Sequence, residues 1–525
     1  MFRRAAFMAS AAAVIGVAAS AYADEPKRGG QLSAIINPEP PILMLGLNQQ
    51  GPTQAVAGKI YQSLLTYDFD LNPMPSLARE WEVADDGLTY TFHLQEGVTW
   101  HDGEAFTAAD AVFSLDEFLP ETHPRWRQLY RNVASIDAPD DHTLVIELEE
   151  PFPAFIMAFE TASAPMIPKH LYEGTDYRDN EWNQTPIGTG PFKFEEWNRG
   201  SSIHLVRNDD YWKDGKPYLD EIYFEVIPDA ASRVTALETQ RVHMSRGEDI
   251  EFFDVPRVAQ LDHLEVTTQG WEMFAPHAWL EFNVREEPIS DKRFRQAVMH
   301  AIDREFILNN IFFGSGNVAT GPISSSTLFY DDNVPEYEYD PDRARELLDE
   351  MGLEPDGNGV RTELRLLPIP YGEAWDRLGE YVRQQLIEVG IQTDLEAADA
   401  GTWAERVANW DYDMTFNYLY QYGDPAIGVS RSYISDNIQR GTLFTNTMGY
   451  ENEEVDRLFE EAAREIDPER RQELYTEVQQ ILVEEVPVGW LIELEFPTIY
   501  DVRFENLVTT AIGTNETYDD VYIAE

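Results

Sequence analysis

The residues between Asp85 and Leu115 restrict the fold more than any other part of this chain. Asp85-Asp86-Gly87 is a tight-turn signal. Leu88, Tyr90, Phe92 and Leu94 then alternate with Thr89, Thr91 and His93, the period of a strand with one buried face. Glu96-Gly97 turns the chain again, and Thr107 stands three residues before Asp110 as a capping-box-like start to a helix carrying Ala111, Val112 and Leu115. The hydrophobic period therefore switches from that of a strand to that of a helix within one short stretch. The same switch recurs along the chain, which predicts an α/β protein.

Further helices are predicted from caps and stops. Asp291 to Asn310 carries Phe294, Ala297, Val298, Ala301, Ile302 and Leu308 at helical spacing. Asp340-Pro341 and Asp467-Pro468 each read as an N-cap followed by proline at the first helical position, and Gly352 and Gly390 stop helices that begin near Pro341 and Glu373. Short strands are expected over Glu363–Leu367 and Gln392–Glu396. Pro186-Ile-Gly-Thr-Gly-Pro-Phe lacks the spacing of a phosphate loop, and Pro191 removes a donor. It reads as a sharp reversal feeding a strand from Phe192 to Trp197.

The N-terminus reads as an export signal spanning 1–23. Arg3-Arg4 precede an Ala-rich apolar run, and Ala21-Tyr22-Ala23 fits a cleavage site. Arg3-Arg4 leaves both the general and the twin-arginine export routes open. No later segment offers the ~18 consecutive apolar residues of a membrane span. The chain has no cysteine, so neither a disulfide nor a lipidated N-terminal cysteine is expected, and the exported protein is expected in a periplasm.

Lysine and arginine total 39 against 95 aspartate and glutamate, a net charge of −56. That balance excludes nucleic acid and anionic membrane as partners, because phosphate contacts need basic patches. The acids are spread along the whole chain, which reads as a solvated surface more than as a description of a ligand.

Several blocks, in order, resemble one family: YQSLLTYD (Tyr61 to Asp68) running into the opening block, PIGTGPFKFEEW with RNDDYW (Arg207 to Trp212), FNVREEPISDKRFRQAVMHAIDR (Phe282 to Arg304), YDPDRARELLDEMG (Tyr339 to Gly352) and VPVGWLIE (Val486 to Glu493). They are similar to the extracytoplasmic solute-binding proteins of peptide, nickel and opine ABC importers, solute-binding family 5. The resemblance implies a periplasmic binding protein-like fold (type II, cluster C), with two lobes around a ligand cleft and an extra inserted domain. Lobe I would comprise 24–62, 186–272 and 497–525, the insert 63–185, and lobe II 273–496. It also implies hinge closure on a small solute, delivery to a membrane permease and its ATPase, a monomer, no cofactor and no catalysis.

In peptide binders of the family an aspartate meets the ligand's α-amine just upstream of an acidic-Pro pair. Gln421 occupies that place, four residues before Pro425. A neutral amide does not supply the charge-assisted bond an ammonium takes, so free dipeptides are expected to bind weakly, with opines or modified amino acids favoured. Asp424 reads equally as a cation ligand or as a turn residue. Tyr418, Tyr420 and Tyr422 alternate, so they would line a pocket or pack one face of a strand. Trp403 carries the same two readings. Arg431 would clamp a carboxylate or pair with a surface acid. Gln49 and Gln50 form a polar loop where family members touch ligand, or a solvated loop, and Phe274 lies near the expected hinge. His101-Asp102-Gly103 reads as a turn and no metal site is expected. An oligosaccharide receptor of the same family and a secreted hydrolase remain the alternatives, the latter without a GxSxG motif or a nucleophilic cysteine.

Overall fold

The computed structural model describes residues 26–524, so the expectations about an export signal at 1–23 lie outside the described residues. Three sheets organise the chain. A seven-stranded sheet runs in the order Leu264–Thr267, Thr498–Asp501, Met244–Ser245, Gln31–Ile36, Glu221–Val226, Ser202–Arg207, Phe192–Asn198. A six-stranded sheet runs Gly316–Val318, Val488–Leu494, His277–Phe282, Met414–Leu419, Thr362–Leu367, Ile391–Leu395. A four-stranded antiparallel sheet, Ala78–Val83, Thr89–Leu94, Thr143–Leu148, Val133–Asp140, interrupts the first between its strands Gln31–Ile36 and Phe192–Asn198. The α/β architecture of two lobes with an inserted third unit is thus built from these sheets and their helices.

The opening block forms the four-stranded sheet much as its pattern predicts. Thr89–Leu94 alternates half-buried and buried residues, with Tyr90, Phe92 and Leu94 inward. A helix starts at Ala108, where the Asp110 carboxylate accepts the backbone N–H of Thr107 at 2.9 Å. The helices Pro341–Glu350, Glu373–Glu388 and Pro468–Glu485 follow their predicted starts.

The expected single helix from Asp291 to Asn310 is broken. It ends at Ala301, and Ile302 is extended (φ −107°, ψ 119°). Asp303 then caps a second segment by accepting from the N–H of Phe306 at 2.9 Å. The Arg304 side chain donates to the carbonyls of Ala319 and Tyr337 instead of running along one straight helix.

The turn from Pro186 to Pro191 is explained by close packing. Gly190 donates to the Ile60 carbonyl at 2.8 Å and Phe192 to that of Lys59 at 3.2 Å. A Cβ on Gly188 would lie 1.9 Å from the Ile60 carbonyl oxygen. Lys59 itself is fully buried. Its ammonium donates to the carbonyls of Thr514 and Glu516 at 2.7 and 2.6 Å and lies 3.9 Å from the centre of the Tyr518 ring, tying the C-terminal segment to this turn.

Only two stretches carry the chain between the seven- and six-stranded sheets in the C-terminal half. They join Thr267 to His277 and Leu494 to Thr498. Trp271 on the first and Phe496 on the second meet edge to face at 5.0 Å. Both sheets have parallel strands in this region: Gln31–Ile36 beside Glu221–Val226 and Met244, and Thr362–Leu367 beside Ile391–Leu395 and Met414–Leu419.

The Gly188 contact supplies a direct test. Gly188→Ala pushes a methyl group into the backbone of Ile60 and should destabilise the protein by about 3 kcal/mol or more. Urea unfolding checks it, with Gly200→Ala, where a Cβ meets no neighbour but the φ is 73°, as a comparison that isolates backbone strain from the clash.

Candidate functional site

Open α/β sheets bind ligands beyond the carboxyl ends of their parallel strands. In the seven-stranded sheet the strand Met244–Ser245 ends directly at Arg246, Gly247 and Glu248. In the six-stranded sheet Thr362–Leu367 leads through two prolines to Tyr371, and Met414–Leu419 leads to Tyr420, Gln421 and Tyr422. These ends face each other.

The tyrosines form a ladder that outlasts its strand. Tyr418 lies inside the strand, whereas Tyr420 follows it and Tyr422 is left-handed (φ 53°). The rings nevertheless meet edge to face in sequence, Tyr418 to Tyr420 and Tyr420 to Tyr422 at 6.0 Å each. Phe274 joins the ladder 5.6 Å from Tyr420, and Trp271 lies 6.0 Å from Phe274. Tyr418 stacks on Trp375 at 5.6 Å and also touches Tyr371 and Phe496. Such contacts add about 0.5–1.5 kcal/mol per pair beyond burial, so the wall is stiff.

Gln421 and Asp424 are placed differently from the ligand-facing reading. Gln421 is 3% exposed. Its oxygen accepts the N–H of Ser324 at 2.9 Å, and its nitrogen lies 2.8 Å from His277 Nδ1 and 3.0 Å from the Pro322 carbonyl. Three of the four hydrogen-bonding positions of the amide are taken by the protein. Burial lowers His277 to about 3, so the imidazole is neutral and Nδ1 can accept. Asp424 is 1% exposed and fills the turn role: it caps the N–H of Ala426 at 2.9 Å and receives the Arg471 guanidinium at 2.9 and 3.0 Å. Trp403 is core, its indole N–H donating to Thr415 Oγ1 at 3.0 Å. Arg431 donates to the carbonyls of Gly428 and Tyr420, and has no carboxylate within salt-bridge distance among the described residues. Gln50 is exposed beyond the N-terminus of the helix Gly51–Ala57. Gln49 Nε2, by contrast, is buried without a partner.

Sequence reasoning missed Arg246, Glu248, Tyr371, Trp375 and Arg125. The Arg246 guanidinium packs over Gly51, donates to Thr514 Oγ1 at 3.3 Å and lies 5.9 Å from the Trp271 ring. Arg125, from the inserted unit, stacks on Tyr422 with its guanidinium carbon 3.5 Å from the ring centre. Glu248 faces the Trp375 indole and the Tyr418 hydroxyl. Burial first, and then the like charges of Glu251 and Asp249, push its carboxyl up to about 7 against the pull of those two donors. One signal was available: Ser-Arg-Gly-Glu-Asp, a charged run directly after a short strand, is an improbable way to continue a core element.

A family model described as "Bacterial extracellular solute-binding proteins, family 5 Middle" matches residues 72–439. The chain belongs to this family. Glutathione-binding protein GsiB of Salmonella typhi is 31% identical over 83% of this chain and 83% of its own length. Oligopeptide-binding protein AppA of Bacillus subtilis is 28% identical over 92% of this chain and 89% of its own. The crystal structure of ABC transporter substrate-binding protein CtaP from Listeria monocytogenes superposes with a TM-score of 0.84 at 25% identity, covering 95% of this chain and all of that one. These names denote binding proteins, and the family-5 chain described here is a solute-binding component by the same membership. Among its described residues no helix is long and apolar enough to cross a membrane.

Two outcomes follow from the site. Asp424→Ala leaves the Arg471 charge buried without its partner, so it should cost about 3–5 kcal/mol of stability, measured by chemical denaturation. Glu248 is raised in the folded state, so its protonated form favours folding. That stability is fully present below about pH 4.5 and is lost as pH rises through about 7. Glu248→Gln removes this titration, so the variant should gain on wild type by on the order of 1–2 kcal/mol between pH 5 and 7.5 in paired thermal melts.

Proposed function

We infer that this family-5 protein is the periplasmic receptor of an ABC importer, and that its cargo is a small amino-acid-derived solute such as a modified peptide or an opine. The division into lobe I (24–62, 186–272, 497–525), an inserted unit (63–185) and lobe II (273–496) fits the three sheets and the two crossing stretches at Trp271 and Phe496. In this reading the lobes swing on those stretches, the closed state gains by its differential affinity for ligand, and a monomer hands the solute to the permease and its ATPase. A cleaved export signal without a lipid anchor delivers it to the periplasm.

The observation that carries the cargo class is the state of the charged groups in the cleft. Both donor positions of the Gln421 amide and one lone pair of its oxygen are engaged within the protein. Neither Arg246 nor Arg431, in a chain with more than twice as many acids as bases, has a carboxylate within salt-bridge distance among the described residues, although Asp249 lies within electrostatic reach of Arg246. They are therefore free to receive the carboxylate of an amino-acid-like solute bidentately. Relatives that bear oligopeptide and glutathione in their names support the same class.

A thermal-shift panel of dipeptides, opines, modified amino acids and oligosaccharides tests this. A true ligand at about 100 times its Kd stabilises the protein by about 2.7 kcal/mol. Amino-acid-derived solutes with a free carboxylate should do so, unmodified dipeptides should give little shift, and Arg246→Ala should abolish the response. A large shift from uncharged oligosaccharides alone would overturn the proposal.

A further inference from the structure

Glu248 is an unusual carboxylate for this protein. It comes from the seven-stranded-sheet lobe and reaches the aromatic wall of the other lobe, yet no lysine or arginine lies within salt-bridge distance of it among the described residues. Its surroundings are aromatic. Tyr371, Tyr418 and Tyr420 all lie within its electrostatic reach, and Trp375 presents its indole N–H towards it. Trp375 is 0% exposed, and its indole N–H points at the carboxylate without reaching full hydrogen-bond geometry. The carboxylate therefore has neutral donors beside it and no basic side chain opposite it. Tyr371 is 39% exposed, and Glu248, Tyr418 and Tyr420 are half-buried, so the place is open on one side.

A carboxylate among tyrosine and tryptophan rings, with no basic side chain opposite it, suits a cationic guest. Aromatic faces attract cations, and most effectively cations whose charge is spread and weakly hydrated, such as alkylated ammonium or guanidinium groups. A compact, strongly hydrated primary ammonium gains less there. The carboxylate, which a bound cation would hold in its ionised form, supplies the counter-charge, and the strongly acidic chain draws cations toward the cleft from a distance.

We propose that Glu248, walled by Tyr371, Trp375, Tyr418 and Tyr420, is the subsite that holds a weakly hydrated organic cation of the solute, an alkylated ammonium or a guanidinium. This rests on the reading of the cleft as the solute site. Arg246, two residues away, faces the opposite charge of the same molecule. The specificity of the receptor then lies in lobe I, and Gln421 sets the position of its loop without touching the charge.

The test uses two pairs of probes that differ only in charge. Glycine betaine is compared with 3,3-dimethylbutanoate, and arginine with citrulline, each titrated calorimetrically against the wild-type protein. In at least one pair the member that carries the cationic nitrogen should bind at least roughly 10-fold more tightly than the isostere without that positive charge. Glu248→Gln should weaken that binding on the order of 30-fold or more, while Glu248→Asp retains part of it. Tyr371→Ala, at a partly exposed position, should weaken it about 5-fold with an unchanged melting temperature, which keeps the test valid if the Glu248 variants fold poorly. Equal binding of both members of each pair, binding of none of the four, or wild-type affinity in Glu248→Gln overturns the subsite. The receptor reading falls separately, and only if no amino-acid-derived solute in the broader panel stabilises the protein.

Discussion

One buried ion pair fixes the loop that carries the end of the tyrosine wall. The Asp424–Arg471 contact joins the loop after the strand Met414–Leu419 to the long helix Pro468–Glu485, and both partners are withdrawn from water. Arg471 also donates to the Ala462 carbonyl and lies over the Phe329 ring, so the pair is held on several sides. A buried pair of this kind adds little net stability over an apolar substitute, but losing one member is costly. What it secures is position. With Asp424 fixed and the Gln421 amide fastened to Ser324, His277 and Pro322, the intervening Tyr422 has one place to go, and the tyrosine ladder keeps its spacing beyond the end of the strand.

That fixation changes what the polar residues of this loop mean. Gln421 and Asp424 are the residue types a ligand would use, in the right segment, and the structure employs both internally. Charged groups beside the wall that have no salt bridge among the described residues are Arg246 and Glu248, after the strand Met244–Ser245, and Arg431 next to Tyr422. On the proposed reading, the solute's charge is met from lobe I and its apolar body by the aromatic wall of lobe II.

Much of the fold was legible in the sequence, for identifiable reasons. The hairpin around Thr89–Leu94 and the helices opened by Asp340-Pro341 and Asp467-Pro468 are specified by local periodicity and capping, which need no tertiary information. The helix break at Ile302 was hidden, because the apolar spacing continues through it and only the Asp303 cap and the distant partners of Arg304 decide it. The site was half legible. Tyr418, Tyr420 and Phe274 could be named because aromatic residues near a strand end suggest a pocket. Glu248 and Trp375 could not, since their meeting depends on two segments about 130 positions apart and on the approach of two lobes. The internal partners of Gln421 were equally out of reach, because Ser324 and His277 lie about 100 and 144 residues away in sequence.

The central claim is that the solute's charge is met from lobe I while the Gln421 amide stays engaged with the protein. A crystal structure with a stabilising solute bound tests it most directly. The account expects the solute's cationic nitrogen within about 4 Å of the Glu248 carboxylate and against the Tyr371, Tyr418 and Tyr420 rings. It also expects Gln421 still bonded to Ser324 and Pro322. A structure in which Gln421 leaves those partners to hold the solute, with Glu248 turned to solvent, would contradict it.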